Sequence, residues 1–453
     1  MTDINPASMA TQLANAYTQP TQSLLSTQSK NAKAVSSALS SLQAALQTFD
    51  GVLTGLSAKK SLQQYSAAFS AAGFGSATAS ATAQPGTYSL FVEQLASANQ
   101  ISFLDLPAIP VASGGPLTVS LAGGGSFNVD LTSADADSDG SLSQSEIARA
   151  INLASGNGGQ VSAMLVTVSG QTQLILSAGS TGAASQITLD TSALPASLLK
   201  NALSAGSELV AARDAVVWLG AQGTGVKLQQ ASNTFTAIPG VSMSFTQAMA
   251  NGASPMTLTV ASDDSGTAAN VSSFVDAYNA LNKVLDQLTD TGNPEDNTAA
   301  AVFASDAGVR ALRSRLNTLI HQQVGGLRLM DFGVNADRDG KLSLNRDKLQ
   351  KAMAAHPDGL NTVFGSTGTT TSSGVLGTLD KYAGSWLNSA NGQIKRRQES
   401  AQNIQRAITA RQTRLDDQYS KSYERYLNQF TRLQQLQSQM SQTTDMFANL
   451  STG

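Results

Sequence analysis

The chain has 453 residues, of which 41% are apolar and only 13% charged, with no cysteine and a net charge of −3. That length exceeds what one core normally holds, so several domains are expected, while the lack of cysteine excludes disulfides and thiol chemistry. The charge is thin and the basic residues are diluted by Gln and Ser, which argues against nucleic acid as a partner. No charged n-region and apolar h-region open the chain, and no run of about eighteen apolar residues occurs, so neither a cleavable signal nor membrane insertion is expected.

In chain order, residues 21–65 read as one helix, free of proline after Pro20. Ala32, Val35, Leu39, Leu42, Leu46, Phe49, Leu53 and Leu56 alternate at spacings of three and four, the heptad stripe that lets helices pair along a seam. Small seam residues and few charges predict a weak solitary helix. Residues 71–86 read as a linker, ending in the turn signal Pro85-Gly86. Short alternating runs then predict strands at 87–92, 117–121, 126–131, 161–168, 173–176, 215–219, 241–246 and 256–260, with a helix at 144–153 among them.

After residue 266 the helical period returns. Val271, Phe274, Val275, Tyr278, Leu281 and Leu285 line one helix, and Val309, Leu312, Leu316, Leu319 and Ile320 another behind an Asp306 N-cap. A hairpin is expected around Asp339-Gly340, a helix over 346–355, a loop over Gly365–Gly374, and helix from Val375 to near the end. Along that last helix Arg397, Ala401, Ile404, Ile408, Arg411 and Leu415 carry one seam, and Tyr419, Tyr423, Tyr426, Phe430, Leu433, Leu436 and Met440 resume it. The four-four step from Leu415 to Tyr423 predicts a stutter, with the two parts packing differently.

The expected fold class is therefore α+β and elongated, its terminal helices forming a coiled-coil or helical-bundle stalk with antiparallel β-rich domains nested between them. The predicted parts are arms (1–42 with 393–453), a helical stalk (43–75 with 265–392), a β-rich domain (76–105 with 207–264) and an inserted β-rich domain with one short helix (106–206).

Chemistry is sparse. The two histidines, His321 and His356, fall in different helices, and no nucleophile, base and orienting group converge, so no catalytic residues and no enzyme are expected. One local pattern fits a hard cation: Asp135, Asp137, Asp139, Ser141, Ser143 and Glu146 occupy positions 1, 3, 5, 7, 9 and 12 of a calcium loop around Gly140. The other reading of the same residues is an Asp-rich turn that N-caps the following helix, with no cofactor; both stand at this point.

Several stretches resemble one family. They are Tyr88-Ser89-Leu90 to Gln94-Leu95-Ala96, Ser232-Asn233-Thr234 before Ile238-Pro239-Gly240-Val241, Val271 to Leu281, Phe332-Gly333-Val334 before Asp339 to Leu344, and Arg414-Leu415-Asp416 to Ser438-Gln439-Met440. Together they are similar to the flagellar filament cap, or hook-associated protein 2, family. Ala150-Ile151-Asn152, Val161-Ser162-Ala163 and Leu174 to Ser177 look like a module shared with flagellins. The resemblance implies a structural assembly factor forming a homo-oligomeric ring at the distal tip of the bacterial filament, secreted and extracellular, that guides flagellin polymerisation. It implies export through the type III apparatus and an export chaperone on the C-terminal helix. The alternatives are a hook–filament junction or flagellin-like axial protein, and a calcium-binding adhesin acting in cell adhesion.

Overall fold

A computed structural model describes residues 5–367 and 372–450, so residues 368–371 of the expected loop lie outside the described residues. Nine helices are present among them: α1 Pro6–Ala58, α2 Gln144–Leu153, α3 Leu198–Ser204, α4 Asp264–Thr289, α5 Ala307–Ile320, α6 Arg346–Ala355, α7 Gly359–Phe364, α8 Gly374–Leu387 and α9 Gln393–Leu450. The chain divides into two compact units, residues 1–62 with 267–453, and residues 63–266.

In the helical unit, α1 starts earlier than expected because the Asn5 side chain accepts the Ser8 N–H at 3.1 Å, with Pro6 in the first turn. The helix runs through Pro20. That residue and Ala16, whose carbonyl loses its donor, are both exposed, so water can satisfy the lone acceptor. At the other end α1 stops short of residue 65, since Lys60 adopts a left-handed φ of 62°. The core is built by Leu39, Leu46, Phe49 and Leu53 of α1 with Phe274 and Tyr278 of α4, Leu312 of α5, Phe364 of α7 and Leu379 of α8. Phe49 meets Tyr278 edge-on, and Phe274 meets Phe364 likewise.

The expected continuous C-terminal helix is instead two, α8 and α9. The Asn388 side chain accepts the N–H groups of Ala390 and Asn391 at 2.9 and 3.0 Å, and a Cβ on Gly392 would lie 2.4 Å from the Asn388 carbonyl. The chain turns there because only glycine fits so close an approach.

In the β unit, an antiparallel five-stranded sheet has the order 64–69, 256–263, 86–94, 215–219, 226–230, beside a three-stranded sheet of 234–235, 241–245 and 75–79. They share a core around Leu90, Val92, Val217, Phe235, Met243, Phe245 and Leu258. Residues 64–69, expected in the stalk, and the 75–79 part of the expected linker are thus strand, joined through a single 3-10 turn at Ala72–Phe74. Their small Ala, Ser and Gly residues hide the alternation that Tyr65, Ala67 and Phe69 carry.

A second group is inserted between strands 86–94 and 215–219. Strands 207–210, 100–104, 171–178 and 161–168 form one sheet and 187–190, 116–121 and 126–130 another, with α2 and α3 completing a core around Phe103, Leu117, Ile147, Leu174 and Leu199. Strands 100–104 and 207–210 therefore join the insert and not the outer sheet to which the sequence assigned them. The insert is closed at its base by Ser97 and Arg213, each donating its N–H to the other's carbonyl at 3.0 and 3.3 Å.

Candidate functional site: the terminal helix pair

Helices α1 and α9 run antiparallel: the Gln398 amide donates to Gln43 Oε1 at 2.7 Å, and further along α9 the Gln412 amide donates to Gln22 Oε1 at 3.0 Å. On α9 the buried residues are Ile394, Ala401, Ile408, Leu415 and Ser422, each seven after the last. The half-buried companions, Gln398, Gln405, Gln412, Tyr419 and Tyr426, keep the same interval. The heptad is unbroken from 394 to 426, so the predicted stutter is absent.

The seam assignment is corrected accordingly. Ile404 is 53% exposed and Leu433 42%, while Tyr419, Tyr423, Tyr426 and Phe430 are half-buried. The Gln row replaces the Arg397, Ile404 and Arg411 row, and two of its members, Gln398 and Gln412, hydrogen-bond across the seam while their stems pack. Arg397 leaves the seam to make a bidentate pair with Asp306 at 2.6 and 3.0 Å, tying α9 to the start of α5 and lying 5.7 Å over Trp386. That pair, with the N-cap bond from Val309 N–H, holds the Asp306 carboxyl below its ordinary 3.8.

On α1, Leu39, Leu42, Leu46, Phe49, Leu53 and Leu56 are buried and Val35 is half-buried, where the sequence put them. Beyond them the pair thins: Leu25, Ile408 and Leu415 make a small separate cluster with Ala32, and the buried residues nearest the start of α1 are Ala10, Ala14 and Thr18. Past residue 430, Leu436, Met440, Met446 and Phe447 of α9 are exposed.

The acidic loop holds one oxygen from each of Asp135, Asp137 and Asp139 within 4.8 Å of the others. The carboxylates accept the loop's own N–H groups: Gly140 to Asp135, Asp139 to Asp137, and Ser141 to Asp139, at 2.9, 3.2 and 2.8 Å. Glu146 departs from the ligand role. It accepts the Ser143 N–H at 2.8 Å and the Ala136 N–H at 2.5 Å, in a capping box with Ser143 at the start of α2. Those bonds, Ser143 first, lower its pKa to about 2. Asp135 Oδ1 is buried without a donor, the one oxygen among these carboxylates so placed among the described residues. The two histidines stand apart as expected: His321 ends α5 with Nδ1 at 2.8 Å from the Asn317 carbonyl, and His356 ends α6.

Four asparagines make a pattern the sequence did not disclose, and the one nearest its partner in sequence is Asn157, which bonds both the N–H and the carbonyl of Val161 at 2.9 and 2.8 Å. Asn152 bonds both the N–H and the carbonyl of Ala163, Asn233 those of Ala96, and Asn279 those of Leu342, at 2.7 to 3.0 Å. The Asn233 and Asn279 clamps bridge stretches 137 and 63 positions apart and the Asn152 clamp stretches 11 apart, so the short motifs quoted above are halves of the same clamps.

The chain matches the family descriptions "Flagellar hook-associated protein 2 N-terminus" over residues 2–99 and "Flagellar hook-associated protein 2 C-terminus" over residues 212–442. The lateral flagellar hook-associated protein 2 of Vibrio parahaemolyticus is 36% identical over 389 residues, covering 84% of this chain and 85% of the relative. This chain belongs to the flagellar hook-associated protein 2 family. The B-type hook-associated protein 2 of Pseudomonas aeruginosa is 27% identical, covering 92% of this chain and 90% of the relative. Among solved structures of the hook-associated protein 2 family, the D1-D2-D3 domains of the Escherichia coli flagellar cap protein superpose with a TM-score of 0.64 at 25% identity, covering 81% of this chain and 99% of that one.

Proposed function

We infer that this member of the flagellar hook-associated protein 2 family is a structural assembly factor that caps the distal tip of the bacterial flagellar filament and guides flagellin into place. Family membership along nearly the whole chain carries this reading. The antiparallel α1/α9 pair supports it physically: its far end is held by alanines, threonine, serine and glutamine, which can separate and re-form at small cost while a subunit is inserted. Such guidance requires shielding and shape, not an active site. The protein acts outside the cell as a homo-oligomeric ring, reaches the tip through the type III export apparatus, and is held beforehand by an export chaperone on the exposed end of α9. Deleting the gene is expected to leave cells non-motile with flagellin in the medium, and normal filaments in that strain overturn the reading.

The acidic loop we read as a self-capped turn, supported by the hydrogen bonds its carboxylates already accept. Melting of the protein in calcium and in chelator should then coincide; a calcium-dependent rise assigns the loop, through Asp135 Oδ1, to the cation instead.

A further inference from the structure

The helical unit holds a polar cavity of about 400 Å³ between α4, α5 and the hairpin turn at residues 337–341. Three guanidinium groups line it: Arg310 and Arg313 from α5, and Arg338 from the turn. Arg313 is committed to the fold, pairing with Asp286 of α4 and donating to the Asp339 carbonyl at 3.3 Å. Arg310 and Arg338 have no carboxylate partner among the described residues, and both are exposed.

Tyr278 also lines the cavity. It is 3% exposed, and its hydroxyl makes no hydrogen bond among the described residues. Burial pushes that phenol up to about 12, so it stays a donor at any working pH. Asn282, buried beside it, reaches Asp286 and the Asp339 carbonyl only at 3.5 and 3.3 Å. The lining thus sets three guanidinium groups and the Tyr278 hydroxyl against one carboxylate, that of Asp339. A group with two coplanar oxygens completes it, because a guanidinium fork binds a carboxylate bidentately.

The neighbouring acids set the charge of that group. Asp339 lines the cavity and Asp286 pairs with Arg313 behind it, and burial with the Asp339 charge already raises the pKa of Asp286 despite Arg313. A doubly charged phosphate would meet both carboxylates, whereas a single carboxylate fits. The volume exceeds that of a bare carboxylate and accommodates a side chain with its adjoining backbone. Charge complementarity points to a second copy of this chain: residues 63–266 hold 12 Asp and Glu against 4 Lys and Arg, and the helical unit 24 Lys and Arg against 19 acids.

We propose that this cavity is a carboxylate-docking site that receives an Asp or Glu side chain of a neighbouring copy, so that Arg310, Arg338 and Tyr278 form one side of a subunit contact. The proposal rests on the ring reading above. The full chain carrying Arg310→Glu with Arg338→Glu should need about tenfold more protein to associate, read by sedimentation at about 0.1 M salt, with unchanged melting because both side chains are exposed. Arg338→Lys treated with a carbodiimide should cross-link position 338 to an acidic residue, and mixing isotopically labelled and unlabelled chains should show the link to be between copies. A wild-type chain that stays monomeric removes the ring reading and this site with it. An oligomer indifferent to the double reversal, or a link found within one chain or only when flagellin is added, removes the site alone. Tyr278→Phe should weaken association severalfold without shifting the oligomer's size, and an unchanged affinity would exclude the phenol.

Discussion

Along residues 39–56, α1 sends its heptad into a core shared with α4, α5, α7 and α8, whereas along residues 10–32 the same seven-residue interval meets α9 through one leucine, alanines and a threonine. The repeat is continuous on α9 too, passing from Ile394 and Ala401 in the large core to Ile408 and Leu415 in the small one. A heptad therefore states that a helix has a partner face but not how many helices share it. Neighbours, not periodicity, make one end of the pair firm and the other yielding.

That contrast can be broken from its firm side. Phe49→Ala, at a fully enclosed ring, should cost about 3–5 kcal/mol and lower the urea midpoint of the whole helical unit; a loss confined to α1 would mean the core is not shared. Asp306→Ala removes an N-cap and a bidentate, partly exposed ion pair, for about 2 kcal/mol together. Because its folded pKa lies below the ordinary 3.8, the Asp306 contribution is present above that value and is lost as pH falls through the lowered one. Wild type should accordingly lose more stability than Asp306→Ala between pH 4 and lower values in an acid melt.

The yielding side gives smaller effects. Leu25→Ala should cost about 1–2 kcal/mol, at the low end for a leucine because its cluster is thin. Hydrogen exchange should quicken in residues 10–30 and 405–425 while the global melt hardly moves, and a falling melt would place Leu25 in the main core. Gln412→Leu replaces a polar seam residue and should slow exchange in the same segments by about threefold, a gain of roughly 0.6 kcal/mol. If that variant exchanged faster, the Gln22–Gln412 bond would be holding the pair together and not loosening it.

Much of this was legible where a single period governs a segment. Helices 144–153 and 346–355 and strands 161–168 and 215–219 stand where alternation or helical spacing placed them. The Gln398, Gln405, Gln412 row is a seven-residue repeat in the sequence, but a polar row carries no apolar stripe to mark it as a seam. The Arg397–Asp306 tie and the Asn233 and Asn279 clamps were out of reach, since a bond between residues 91, 137 or 63 positions apart leaves no local trace. For the acidic loop, spacing alone could not separate ligand from cap; Glu146 became readable only once both its oxygens had partners.

The Gln22–Gln412 bond joins residues 390 positions apart, whereas the β unit is one uninterrupted stretch of chain. A chain that emerges gradually from either end can complete the β unit while the rest is still arriving. The helical unit has no such freedom, because α1 must wait for α9 and the loop it closes is nearly the full length of the protein. Order of emergence thus becomes order of folding, and the helix pair is the last joint to form.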